Sequence, residues 1–258
     1  MKRLEQAIEG LRRMEQTADG SSWLQRTDAR AKLAVTVAYL FCLLSIPLTK
    51  PDGVLLMLTY PLACSTLAGI SYGRLLRRSL VVLPLLLGVA LFNPLTDRQV
   101  VFRVMEVEVN RGWITLSALL LRGLLSMQAL LLLVESTGFY ALCHAFRRLG
   151  MPSVFSTQLF FLYRYLGLLL QEALAMSRAW ASRGYGRKNY PLGMWGVFVG
   201  RLLLRAVERA GRIHRAMLAR GFTGELPLLL PHARWQWRDT LFLLFWTVLN
   251  WHLSRLTV

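Results

Sequence analysis

The apolar residues of this sequence are gathered into blocks, and the charges into the stretches between them. Few folds accept that segregation. Backbone in hydrocarbon must satisfy its own hydrogen bonds, which a helix does internally, so apolar blocks of near-bilayer length read as membrane-crossing helices. With 55% hydrophobic and 17% charged residues, the chain suits lipid better than it suits water.

Five blocks qualify as spans: Lys32 to Leu48, Gly53 to Ile70, Leu80 to Asn93, Trp113 to Val134 and Thr240 to Leu253. The first leaves through a turn holding Pro47 and Pro51, and the third is short enough to require bilayer thinning or snorkelling flanks. The fourth carries Arg122 near its middle, and an arginine there must find a partner, a carbonyl or water. Trp235, Trp237 and Arg238 precede the fifth as an interfacial anchor.

Charge sets the orientation. Residues 135–238 hold 15 basic and 4 acidic residues, most of the net +17, which predicts a cytoplasmic face. Arg74, Arg77 and Arg78 in the link 71–79 point the same way. Between Pro94 and Gly112 the charges Asp97, Glu106 and Glu108 balance Arg98, Arg103 and Arg111, so that loop is expected outside. Counting crossings leaves the N-terminus inside and one large cytoplasmic insertion. Within it, residues 154–176 and 194–204 are expected as half-buried helices. Before the first span, Leu4, Ile8, Leu11 and Met14 recur at helical steps among basic residues, which predicts an amphipathic surface helix over 1–18.

The insertion contains an internal repeat. Arg178-Ala179-Trp180-Ala181-Ser182-Arg183-Gly184-Tyr185 returns at an offset of 37 as Arg215-Ala216-Met217-Leu218-Ala219-Arg220-Gly221-Phe222. Each copy is a helix running into small-Arg-Gly-aromatic, where glycine takes the left-handed conformation just past the helix end. An arginine at that place complements the helix macrodipole, which alone makes it a cap. Two equivalent copies with aromatic neighbours favour docking into a pocket of carboxylates or carbonyls. Arg201, Arg205, Arg209, Arg212 and Arg215 form a basic stripe on the second helix, expected as a solvated face beside anionic headgroups.

Other chemistries lack their residues. There is no phosphate-binding G-x-x-x-x-G-K-[ST] loop. Cys42, Cys64 and Cys143 are too widely spaced for a disulfide or metal framework, and His144, His214, His232 and His252 show no ligand spacing. Arg122, Glu135, Glu172 and His144 are ionisable groups in or near apolar helices, but no nucleophile and base stand at a usable step for an intramembrane enzyme. No cofactor or resident metal is expected, and nucleic acid is excluded for want of any recognised binding fold.

The sequence resembles the transmembrane coupling component of energy-coupling factor (ECF) transporters, specifically the cobalt-type subunit CbiQ. The residues carrying the resemblance are Asp28-Ala29-Arg30-Ala31-Lys32-Leu33, Glu135-Ser136-Thr137, Leu149-Gly150-Met151-Pro152, Tyr163-Arg164-Tyr165 with Glu172, and the two Arg-Gly motifs. It implies an all-α, multi-pass protein of the plasma (inner) membrane with about five transmembrane helices and a cytoplasmic coupling-helix region. The boundaries are 1–30 cytoplasmic, 31–134 spans one to four, 135–238 coupling helices and 239–258 the last span. The implied partners are two ATP-binding ATPase subunits, a substrate-binding membrane subunit and membrane lipid. In that family the motif residues, here Ser182, Arg183, Gly184, Ala219, Arg220 and Gly221, end helices seated in the ATPases; the first motif has serine where the family has alanine. The implied role is non-catalytic coupling of ATP hydrolysis to uptake of a transition-metal ion, cobalt first. A nickel or vitamin scaffold, and a membrane anchor for an acidic cytoplasmic protein, are the alternatives. Gly184, Gly186, Gly193, Gly196 and Gly200 are candidate hinges, or else helix ends and close-packing sites.

Overall fold

The computed structural model describes residues 5–6, 8–10, 22–48, 51–93, 100–104, 107–183, 192–224 and 235–257. By contacts the chain divides into two compact units, one of Thr17–Gly138 with His232–Val258, the other of Met1–Gln16 with Phe139–Pro231.

The first unit contains α1 (Trp23–Arg26), α2 (Ala29–Ser45), α3 (Pro51–Leu56), α4 (Thr59–Ala68), α5 (Tyr72–Ser79) and α6 (Leu83–Ala90). A hairpin of β1 (Val100–Val104) and β2 (Val107–Asn110) follows, then α7 (Arg111–Thr137). The last helix of the chain, here named α11 (Trp237–Thr257), returns to this unit and packs along α2. Its core joins Val35, Tyr39 and Leu43 of α2 to Tyr60 and Cys64 of α4, Leu125 and Leu132 of α7, and Phe242 and Trp246 of α11.

Two sequence breaks shape this bundle. Pro61 has no N–H to give Met57, so the apolar block 53–70 cannot be one helix and divides into α3 and α4. The freed Met57 carbonyl accepts the Tyr39 hydroxyl at 3.0 Å. Tyr39 in turn stacks on Tyr60 at 4.4 Å, and Tyr60 meets Trp246 edge-on at 5.0 Å. At the far end of α2, the residue before Pro47 is extended (Ile46, ψ 130°), which ends the helix. The Ile46 carbonyl accepts Arg122 Nη2, so the arginine in the middle of the apolar helix α7 has a carbonyl partner, as its position demanded.

The second unit contains α8 (Phe139–Arg148), α9 (Ser153–Arg183) and α10 (Leu192–Leu218). Between α8 and α9, Gly150 at φ +101° lets the Met151 amide reach back to Phe146 at 3.1 Å. Phe139 stacks on Tyr163 at 4.4 Å, joining the start of α8 to α9.

Several expectations change. The fold is helical, as expected, apart from one short hairpin whose backbone register pairs Arg103 with Glu108 and Val104 with Val107. The alternation Val107-Glu108-Val109 is its signal. Among the described residues two helices, α7 and α9, are long and apolar enough to cross a membrane, and Asp52–Ala68 is a shorter apolar stretch, so five crossings are not reached on length and composition. Residues 154–176, expected as a half-buried helix, belong to α9, one of those two. The link 71–79 is the helix α5. Of the N-terminal amphipathic segment, residues 5, 6 and 8–10 are helical and the remainder lies outside the described residues.

Candidate functional site

The two Arg-Gly motifs fall at the ends of the two long helices of the second unit. Burial along α9 fades after Ser177, and Ser182 and Arg183 are exposed. The Ser182 hydroxyl turns back to the Ala179 carbonyl at 2.9 Å, the local bond a helical serine makes, and Arg183 is the last helical residue. Gly184 lies outside the described residues.

At the second motif the cap is complete. α10 ends at Leu218, and Gly221 stands at φ +80°. The Gly221 amide donates to Leu218 and the Phe222 amide to Met217, both at 3.0 Å, the two reversed bonds of a Schellman turn. Glycine is needed because a Cβ in this conformation crowds its own backbone. Ala219, Arg220 and Gly221 are all exposed. Among the described residues neither Arg183 nor Arg220 pairs with a carboxylate, which leaves both guanidinium forks on the surface at helix ends.

Glu172 braces the two helices. Its carboxylate takes an ion pair from Arg205 and another from Arg209, the latter at 3.5 Å. The basic stripe is therefore not wholly a solvated face: two of its arginines are committed to α9, and Arg212 lies 3.9 Å from Glu208 on its own helix. Nearer the helix end, Arg178 pairs with Glu5 at 3.0 Å. Gly193, Gly196 and Gly200 sit inside α10, and among the described residues a Cβ at any of them would meet nothing within 4 Å.

In the first unit, two motifs quoted for the resemblance come together. Asp28 caps α2, accepting the Arg30 amide at 2.9 Å while its carboxylate grips the Arg30 side chain. That hydrogen bond raises the Arg30 pKa above its ordinary value. One turn on, Lys32 is buried and its ammonium donates to the Ser136 carbonyl at 2.9 Å. The neighbouring Glu135 carboxylate, 2% exposed, is held by Arg78 of α5. Asp239 at the start of α11 accepts the backbone amides of Asp28, at 3.0 Å, and Gln236, at 2.8 Å. These groups lie at the ends of α2, α5, α7 and α11, and they fasten those ends together.

Sequence reasoning placed the motif arginines at helix ends but missed this cluster and the Glu172 brace. The pairs Arg78–Glu135 and Arg205–Glu172 join residues far apart in the chain, and no local spacing marks them. Among the described residues no group of three His, Cys, Asp or Glu side chains is placed to hold a metal ion. Cys143 is buried in α8, and burial pushes its thiol up to about 11.

Two relatives, both proteins of Methanocaldococcus jannaschii, are similar to this chain. The uncharacterized protein MJ1089 is 29% identical over 126 residues, 48% of this chain, and the matched stretch spans about half (47%) of that protein. The uncharacterized protein MJ1571 is 27% identical over 243 residues, covering 87% of this chain and 80% of its own length. The family model described as CbiQ, cobalt transport protein, matches residues 20–229, which takes in both Arg-Gly motifs, the Glu172 brace and most of the first unit. The chain therefore belongs to the CbiQ family of cobalt transport proteins.

Proposed function

We propose that this chain is the scaffold of an ECF-type importer, which couples ATP hydrolysis by two partner ATPases to metal-ion uptake through a separate substrate-binding membrane subunit. The observation that carries the proposal is the pair of exposed, carboxylate-free arginines, Arg183 and Arg220, at the ends of two helices braced to each other through Glu172. A guanidinium fork at a helix end suits a groove of carboxylates and carbonyls on another protein. Ser182, Gly184, Ala219 and Gly221 complete the two seats, their small side chains leaving room for close approach.

In this reading the N-terminus and residues 135–238 face the cytoplasm, and 31–134 and 239–258 lie in the plasma membrane. At 31 residues, α9 is roughly 46 Å long, and its exposed end bears Arg178, Ser182 and Arg183. ATP binding draws the ATPases together, each carries the helix end seated in it, and the brace makes α9 and α10 answer as a pair. The cargo is cobalt, after the family.

Co-expression with the cognate ATPases and substrate subunit tests the reading. Arg183→Glu with Arg220→Glu should abolish both ATPase co-purification and uptake of radioactive cobalt, with the chain still in the membrane. Full association and uptake in the double variant would overturn it. Nickel competing better than unlabelled cobalt would reassign the cargo.

A further inference from the structure

We infer that the first unit holds a seat for one anionic phospholipid, lying along α11 with its headgroup at Arg238. A groove of about 730 Å³ is lined by Trp23, Leu67, Trp237, Arg238, Leu241, Phe242, Phe245 and Trp246. That volume is within the range of small-molecule sites. From Arg238 to Trp246 the α11 residues fall at steps of three and four, so they form one helix face about 12 Å long. Trp23 of α1 and Leu67 of α4 supply the opposite wall, and Trp23 meets Phe242 edge-on at 5.9 Å.

The distribution of polarity names the occupant. Seven of the eight lining residues are bulky aromatic or aliphatic side chains, and the one charge stands at the end of the groove. A transmembrane helix from another protein associates through small residues and interhelical hydrogen bonds, which this lining does not offer. An acyl chain needs only apolar walls, and a phosphate needs a cation at one end.

The cation is available. Arg238 lies over the Trp237 ring at 5.9 Å and, among the described residues, pairs with no carboxylate. The acids nearest in sequence face inward: Asp239 accepts the amides of Asp28 and Gln236, and Asp28 holds Arg30. Exposed Arg26 on α1 adds positive charge without a counter-ion among the described residues. Trp235, exposed and set under Arg30 at 5.3 Å, joins Trp23 and Trp237 in an aromatic belt of the kind that marks a membrane–water boundary. A cytoplasmic leaflet rich in anionic lipid provides the partner.

The lining tryptophans supply the assay. The full chain is reconstituted in phosphatidylcholine vesicles doped with phosphatidylglycerol or phosphatidylcholine brominated on the acyl chains, and tryptophan quenching is titrated against mole fraction. One arginine at an anionic surface corresponds to about fivefold in occupancy, so brominated phosphatidylglycerol should half-quench the selective component at about one-fifth the mole fraction. Arg238→Gln should remove that preference, and Leu241→Trp, which fills the groove and keeps the charge, should do the same. Equal quenching by both lipids in the unaltered chain, or a preference that survives both substitutions, would overturn the seat. So would loss of the preference when the partner membrane subunit is added, which would mean that a protein occupies the groove. Each outcome is independent of ATPase docking, since no residue of the second unit lines the groove.

Discussion

Replacing glycine by alanine should have opposite signs at two places in α10 and its cap. Gly211 lies in the helix interior, and a Cβ there meets nothing within 4 Å. Interior glycine costs about 0.8–1 kcal/mol relative to alanine, so Gly211→Ala should stabilise the helix by roughly that amount. Gly221 is equally free of neighbours, but its φ is +80°. The left-handed conformation costs an L-residue about 1–2 kcal/mol, so Gly221→Ala should destabilise the turn in which residues 221 and 222 bond back to Leu218 and Met217. A factor of ten corresponds to about 1.4 kcal/mol, so amide exchange at residues 221 and 222 should quicken by about fivefold to thirtyfold in Gly221→Ala and slow in Gly211→Ala. Hydrogen exchange with mass spectrometry on the full chain in detergent reads both. The same sign at the two sites, or unaltered exchange at the cap, would refute the argument. Gly221→Val should also impair ATPase stimulation, because Arg220 loses the turn that aims it.

Arg78→Ala should lower thermal stability in detergent by about 3 kcal/mol, since it strands the buried Glu135 carboxylate; Arg78→Met with Glu135→Met should recover most of the loss, and an unchanged melting temperature in the single variant would count against the ion pair. Gly123→Ala puts a Cβ 2.5 Å from Leu86 Cδ1, so it should cost about 1–3 kcal/mol, and Leu86→Ala in the same chain should cost less than when made alone. Single cysteines placed at Asp97 or Gln99 should react with an impermeant maleimide from outside intact cells once Cys42 is replaced by alanine. The native Cys143 should stay silent near neutral pH, because a thiol pushed up to about 11 holds little thiolate until the chain unfolds; labelling of it in the folded protein would contradict its burial.

Local rules made some of this structure readable. Trp113 to Val134 became α7 and Thr240 to Leu253 became α11, each with two to four more residues at either end, because apolar length and flanking tryptophan or arginine define a helix without help from elsewhere. The Arg220-Gly221 cap was legible for the same reason: glycine two residues past the last apolar turn has one common use. What escaped depends on other parts of the chain or on weaker signals. Pro61 divided an apolar block that composition alone reads as continuous. Five alternating residues around Glu108 gave a hairpin where charge balance suggested only a loop. Glu172 and Glu135 stand out in sequence as acids in or near apolar helices, but their partners Arg205, Arg209 and Arg78 reach them only after folding.

The phenol of Tyr39 fills the vacancy that Pro61 creates at Met57, so the ring and the imino acid are two halves of one solution. Across relatives the pair should drift together. Where position 61 regains an ordinary amide, the backbone can close its own bond and phenylalanine at position 39 becomes harmless; where proline stays, losing the hydroxyl leaves a buried carbonyl without a donor.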